Sequence, residues 1–377
     1  MKIGIVSIHY AHNYGSALQA YALQKVLENY SKSVEIIDYR PKYFRRMYKI
    51  FSLSIYKEYS GFLNKMVHLG WRVVFLPQRI NKARKFSRFM RDHFRLTDKK
   101  YLSEKDINRG SFDYDVVFVG SDQVWNTDIT NGYDGVFFLD FLTSKTYKAS
   151  YAASIAKETV DKRYRNRMIE SLSSFDKISV REEEGKELLS QLLNKKIEVS
   201  IDPTLLLDST EWDKIAQNST SKVGGDYIFV YILQDNPEIV KIINYLSEKC
   251  HLPVVSIGKK KRFRGEKVYR SAGPEDFVNL IKGARYVVTN SFHGTAFSVI
   301  YKKECFIVPH LTTGNRMISL LRKIGLEQRI VKEFDREKIC RMIEKKPNFK
   351  GAYSILEKEK KLSNMYISNI IKETKGE

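Results

Sequence analysis

Cysteine is nearly absent from this chain. The three that occur, Cys250, Cys305 and Cys340, stand far apart, with no paired spacing and no histidine at ligand intervals. That pattern argues against a zinc site and for a reducing compartment. His, Asp and Glu do not cluster at ligand spacing either, so no metal is expected. No uncharged run approaches the ~18 residues needed to span a bilayer. The apolar opening, Ile3 to Ile8, is shorter than a signal-peptide core and carries no cleavage site. A soluble cytoplasmic protein is the expectation. There is no short tandem repeat and no low-complexity tract. A G-x-G-x-x-G fingerprint is also missing, which leaves a nicotinamide dinucleotide without support.

Acidic residues fall well short of basic ones: 65 Lys and Arg face 44 Asp and Glu, a formal net charge of +21. The excess is concentrated. Between Pro41 and Lys100 there are 16 Lys and Arg against three acids. Aromatics recur through the same stretch, among them Tyr43, Phe44, Tyr48, Phe51, Phe75, Phe86, Phe89 and Phe94. Three roles are open for it. It can lie on an anionic bilayer, each cation near the surface adding about 1 kcal/mol. It can bind nucleic acid through phosphates. Or it is a helical insertion with a solvated charged face. No nucleic-acid motif accompanies it, so no nucleic-acid partner is expected. The membrane surface is the favoured reading, at the inner face of the plasma membrane.

What remains is ordinary for a globular protein, with 43% hydrophobic and 12% aromatic residues in 377. That is enough chain for about two domains. Short apolar runs alternate with helical periodicity. Strands are expected at 2–8, 34–40, 114–119, 147–152, 177–180, 227–232, 253–257, 285–289 and 305–308. Helices are expected at 17–30, 183–193, 237–248, 275–282, 295–301, 315–324 and 352–372. Continuous apolar strands between helices predict parallel sheets covered on both faces. The stretch "SIDPTLLLDSTEW", 200–212, reads as a boundary, with Pro203 interrupting and Ser209 or Thr210 capping a new helix. The division is then 1–205, with a basic helical insertion at 41–100, 206–345, and a closing helix at 346–377.

Ligands gather beyond the carboxyl ends of strands in such sheets, which selects three turns. In "HNYGSALQAYAL", Asn13, Gly15 and Ser16 open a helix whose N–H groups suit an anion; the plain alternative is a capped helix with nothing bound. In "GSDQVWN", Ser121, Asp122, Gln123 and Asn126 crowd around Trp125, a set able to hold a sugar by hydrogen bonds over an aromatic face. Asp122 as a turn-forming residue is the alternative. In "TNSFHGT", Ser291, His293, Gly294 and Thr295 lie where a strand turns into a helix. Two arginines join them. Arg181 follows a strand and could clamp an anion, or merely pair with Glu182 to Glu184. Arg316 sits in the first turn of a helix, where the dipole disfavours a cation unless an anion is bound.

Taken together, "NYGSALQAYAL", "YDVVFVGSDQVWN", "ISVREEEGKELL", "IDPTLLLD", "VVTNSFHGTAFSVIY" and "TGNRMISLLRKIGL" resemble the polysaccharide pyruvyl transferase family. The resemblance implies an α/β fold of two Rossmann-like domains facing a cleft, GT-B-like. It implies transfer of pyruvate from phosphoenolpyruvate, as donor substrate with no cofactor, to sugar hydroxyls, giving a pyruvate ketal and phosphate. His293 matches the family's histidine and is the expected general acid; Asp122 is the second catalytic candidate. Gly294 is expected to let the helix backbone approach the anion. Many members carry arginine where this chain has Ser291, so Arg181 would share the donor with Arg316 or the basic loop 258–264. A lipid-linked glycan acceptor is expected, and a sugar-nucleotide glycosyltransferase on the same frame is the alternative.

Overall fold

The computed structural model describes residues 1–47, 74–157, 159–258, 263, 265–310 and 314–376. Eleven short strands form among them: β1 Lys2–Val6, β2 Ser33–Ile36, β3 Val116–Val119, β4 Tyr147–Ser150, β5 Ile178–Val180, β6 Ile197–Val199, β7 Ile228–Tyr231, β8 Val254–Ile257, β9 Lys267–Val268, β10 Tyr286–Thr289 and β11 Glu304–Ile307. β3, β7, β8, β10 and β11 are buried at every position, as continuous apolar runs in a doubly covered parallel sheet should be. The three-residue β6 and two-residue β9 are too short and too charged to show as apolar runs, and neither was anticipated. Two helices, Arg165–Ser173 and Arg336–Glu344, were also missed.

The first sheet is parallel in the order β2-β1-β3-β4. Isolated bridges from Ala149 to Lys177 and from Ala153 to Val180 carry it on to the β5-β6 pair. The second, also parallel, runs β11-β10-β7-β8-β9. These are two Rossmann-like domains, as expected. In each the chain first builds outward on one side of its opening strand, then crosses to the other side. The order reverses between β1 and β3 in the first domain, and between β7 and β10 in the second. Strand ends at such reversals are where doubly wound sheets bind ligands.

The helix Tyr14–Leu27 joins the two domains. Asn13 caps it, and all its residues except Lys25 are buried, the signature of a helix packed on every side. It touches the Pro203–Leu205 turn and the helices Pro274–Gly283 and Phe292–Ile300. Tyr14 stacks on Phe277 at 5.1 Å and 7°, and its hydroxyl donates to the Ala272 carbonyl at 3.1 Å. One apolar cluster runs from Ile3, Leu18 and Phe118 in the first domain to Phe229, Phe277 and Val287 in the second. The closing helix, Phe349–Lys375, crosses back over both. Near its start, the Tyr353 hydroxyl donates to the Ile300 carbonyl, and further on that of Tyr366 donates to the Ser150 carbonyl.

The basic insertion is only in part as expected. Its stretch 48–73 lies outside the described residues. Several aromatics of the described part are packed inside the protein. Phe86, Phe89 and Phe94 belong to the core, and Phe44 is buried beside Tyr101 and Phe137. Phe86, Phe89 and Phe94 face inward because the helix Leu76–His93 lies against the second domain. There Lys85 pairs with Asp276 at 2.7 Å and Arg88 with Glu275 at 3.6 Å. No described helix is long and apolar enough to cross a membrane.

Candidate active site

Four segments meet at the two reversal points: the turn after β1, the Gly120–Asp122 turn after β3, Arg181 after β5, and the β10-to-helix turn. Asp202 ties them together. It caps the Pro203–Leu205 turn, its Oδ1 accepting from Thr204 N at 3.0 Å and Thr204 Oγ1 at 2.7 Å. Its Oδ2 accepts from Arg181 Nη1 at 2.6 Å and Ser121 Oγ at 3.2 Å, and lies 3.6 Å from His293 Nε2. Burial alone would push the Asp202 carboxyl up. The His293 imidazole, Arg181 and Thr204 outweigh it and hold that carboxyl well below the usual range.

Asp202 was read from sequence only as part of a domain boundary. Its local signal, Asp-Pro-Thr, is that of a turn cap; its importance comes from what reaches it across the fold.

His293 is the second residue of the helix Phe292–Ile300, which Ser291 caps. The helix therefore begins three residues earlier than the periodicity indicated. The ring is buried against Gly15 of the first domain, where an added Cβ would stand 2.0 Å from His293 Nδ1. Beside it, the Arg181 guanidinium lies 4.7 Å from the Phe292 ring centre and that of Arg316 lies 5.8 Å from it. Both guanidiniums approach Glu182 Oε1, Arg181 Nε at 3.7 Å and Arg316 Nε at 4.0 Å. Burial and the like charge of Arg181 lower Arg316 to about 10, so it stays a cation at neutral pH.

The cations are neutralised without being satisfied. Separations of 3.6 to 4.0 Å to carboxylate oxygens balance charge but exceed a hydrogen bond. Arg181 Nε and Nη2, Arg316 Nε and His293 Nε2 are buried with no hydrogen-bond partner. Each unmet N–H costs on the order of 1–3 kcal/mol. Four such nitrogens in one cluster have the chemistry to receive an oxyanion.

The remaining expected residues divide. Asp122 borders the cluster. Its Oδ2 accepts from Ser16 Oγ and its Oδ1 from Gln123 N at 2.8 Å, while its charge reaches Arg316. Ser121 holds Asp202, as described. Asn13 proves to be a cap: its Oδ1 accepts from Gly15 N and Ser16 N, so those groups are not left for an anion. Gly15 is needed instead for the close approach of His293. Gly294 does not serve anion approach either, since an added Cβ would lie 2.5 Å from Thr289 Oγ1. Ser291 Oγ accepts from Gly294 N at 3.4 Å, and Thr295 Oγ1 donates to the Ser291 carbonyl at 3.0 Å. Both hydroxyls are used within the helix turn.

Trp125 is no sugar platform. It is buried in the first domain, stacked near Phe138, and its indole N–H donates to the Phe137 carbonyl at 2.9 Å. Asn126 shapes the same turn, donating to Gln123 Oε1 at 2.7 Å and accepting from Asp128 N at 3.1 Å. Most of the basic loop 258–264 lies outside the described residues. Among those described, no three His, Cys, Asp or Glu side chains gather as a metal site.

Three solved structures share the fold. A Listeria monocytogenes protein described as a UDP-N-acetylglucosamine 2-epimerase is 11% identical, with a TM-score of 0.58, covering 98% of this chain and 95% of its own. The S. aureus protein MnaA, solved with UDP, is 12% identical at a TM-score of 0.53, covering 99% and 96%. The UDP-GlcNAc 2-epimerase from Neisseria meningitidis, bound to UDP-GlcNAc, is 10% identical at a TM-score of 0.52, covering 98% and 99%. At these identities the likeness concerns the fold alone, two Rossmann-like domains in the GT-B manner. No curated protein matches the chain significantly. A family profile, polysaccharide pyruvyl transferase, matches residues 13–311 and so takes in every segment of the cluster except Arg316. The chain belongs to the polysaccharide pyruvyl transferase family.

Proposed function

We propose that this protein transfers the pyruvyl group of phosphoenolpyruvate to two hydroxyls of a glycan sugar, forming a cyclic ketal and releasing phosphate. The observation that carries the reading is the set of unpartnered N–H groups on Arg181, Arg316 and His293, a buried receptor for a donor bearing both phosphate and carboxylate. Family membership supports the reaction class.

The residues divide the work as the chemistry requires. His293, as imidazolium, gives a proton to the methylene carbon of the donor while a sugar hydroxyl adds to the neighbouring carbon. Asp122, beside Ser16, takes the proton of that hydroxyl. Phosphate departs toward the guanidiniums carrying the proton that Asp122 took, which frees the base again; the second hydroxyl then closes the ring, and its proton restores the imidazolium. General acid and base each contribute on the order of 10²–10⁴-fold. Asp202 touches neither donor nor acceptor; it orients Arg181 and His293.

We take the acceptor to be a lipid-linked glycan precursor at the inner face of the plasma membrane, approached through the basic insertion 41–100. A phosphate-release assay with phosphoenolpyruvate and such an acceptor tests the proposal. Loss of turnover in His293→Ala is expected, and undiminished turnover would remove the acid. Neutralising the exposed cations of 45–95 should lower activity on vesicle-bound acceptor only. A sugar-nucleotide transferase is the second reading, favoured by the shared fold with proteins solved with UDP or UDP-GlcNAc. Thermal stabilisation by UDP but not by phosphoenolpyruvate would select it.

A further inference from the structure

Glu182 lies inside the cationic cluster, yet the chemistry above gives it no task. It precedes the helix Glu183–Leu193 at the capping position, but its side chain makes no cap hydrogen bond. It turns toward the guanidiniums instead. Oε1 accepts from Ser154 Oγ at 2.5 Å, while Oε2 is buried with no partner. The charged and polar groups that bear on it are Arg181 after β5, Arg316 from the helix Asn315–Lys323, Ser154 after β4, and Glu184 on its own helix.

The charges of the cluster frame the problem. Arg181, Arg316 and His293 face Asp202, Asp122 and Glu182, with Glu184 a further negative charge nearby, so the sum is not positive even with His293 protonated. A phosphate-like dianion entering this buried space adds two further negative charges beside three carboxylates. One of those carboxylates has to give way. Asp202 is poorly placed to do so, since Arg181, Ser121 and Thr204 all donate to it. Asp122 has to enter the reaction ionised, since it is the base, and Ser16 and Gln123 N both donate to it. Of the three, only Glu182 keeps an oxygen without a donor. Burial pushes its carboxyl above the ordinary value, and the two arginines and Ser154 oppose that without reversing it.

Resting on the reading of this cluster as the donor site, we infer that Glu182 takes up a proton from solvent when the anion binds and donates it, as an O–H on Oε2, to a bound oxyanion oxygen. The only bond made is that O–H. The carboxyl thereby changes from a repelling charge into a hydrogen-bond donor, and the proton returns to solvent when the anion leaves. Glu182 then sets which charge state of donor the site accepts.

Sulfate is the probe, because its own charge is fixed across neutral pH. Titration calorimetry on the full chain at about pH 7.5, in two buffers of different ionisation enthalpy, counts the protons taken up. Wild type should take up roughly one proton more than Glu182→Gln, an uncharged isostere. The glutamine variant should bind sulfate about tenfold more tightly near pH 8, with affinity that varies less with pH. Glu182→Asp, which keeps an acid, should retain the uptake and guards against a merely structural effect. Equal proton uptake by wild type and Glu182→Gln, with both binding sulfate, overturns the inference and leaves the donor site standing. No sulfate binding by wild type overturns both.

Discussion

Gly15 of the first domain and His293 of the second are packed so closely that a single methyl group cannot fit between them. An added Cβ would stand 2.0 Å from Nδ1 of the ring and 2.5 Å from its Cγ. The glycine therefore sets how near one domain comes to the other's imidazole. Gly15→Ala should push the ring away from Asp202 and the guanidiniums. A displacement of this kind is expected to lower kcat in the phosphate-release assay by roughly 10²-fold. Retained kcat would mean that the ring's position does not matter to the reaction.

Asp202 gives the protein a pH signature. Its folded-state carboxyl titrates below its unfolded value, so the unfolded chain binds the extra proton. Stability from this group is present above the unfolded value near pH 4, about where free carboxyls titrate, and is lost as pH falls toward the folded one. Urea midpoints measured downward from neutral pH should fall more steeply in wild type than in Asp202→Asn. Asp202→Ala, which strands Arg181, should cost roughly 3–5 kcal/mol at neutral pH.

Trp125 should matter to stability and not to the acceptor. Trp125→Phe loses the bond to the Phe137 carbonyl and part of the packing on Phe138, a cost of about 1–3 kcal/mol. The KM for the glycan should stay unchanged. A large rise in KM with an unaltered melting temperature would restore the sugar-platform role.

Lys85 anchors the helix Leu76–His93 to the second domain. Its ammonium donates to Asp276 at 2.7 Å and Thr220 Oγ1 at 2.6 Å. Lys85→Met removes a charge-assisted bond to a buried carboxylate and should destabilise by about 1.5–3 kcal/mol. Amides of this helix should exchange faster with solvent. The exposed pair of Lys214 with Glu211 is the control, where Lys214→Met should change stability by less than about 0.5 kcal/mol.

The alternation of apolar runs and helical periods was enough to find two α/β halves with parallel sheets, because strands such as Val116–Val119 and Tyr286–Thr289 are largely apolar; their Rossmann-like character came from the family resemblance. It also brought attention to the strand ends where the buried cationic cluster lies. Individual roles were harder to read. Asn13, Gly294 and Trp125 carry the same residue types whether they cap, pack or bind, and only their neighbours decide. Thr289 beneath Gly294 and Phe137 beside Trp125 come from other parts of the fold. Asp202 escaped notice for the same reason, and Glu182 was read only as an ion-pair partner of Arg181, which it is at 3.7 Å. Asp202 looks like a local cap until Arg181 and His293 reach it, and Glu182 a local partner until Arg316 does.

The closing helix bears on how this protein comes apart. Its first turns bond to one domain and its later turns to the other, and its Leu356, Ile367 and Ile370 sit in the apolar cluster that both domains share. Heat should therefore melt the molecule in a single calorimetric peak with matching van't Hoff enthalpy. Trimming the chain before Phe349 would take away that clasp and split the peak in two.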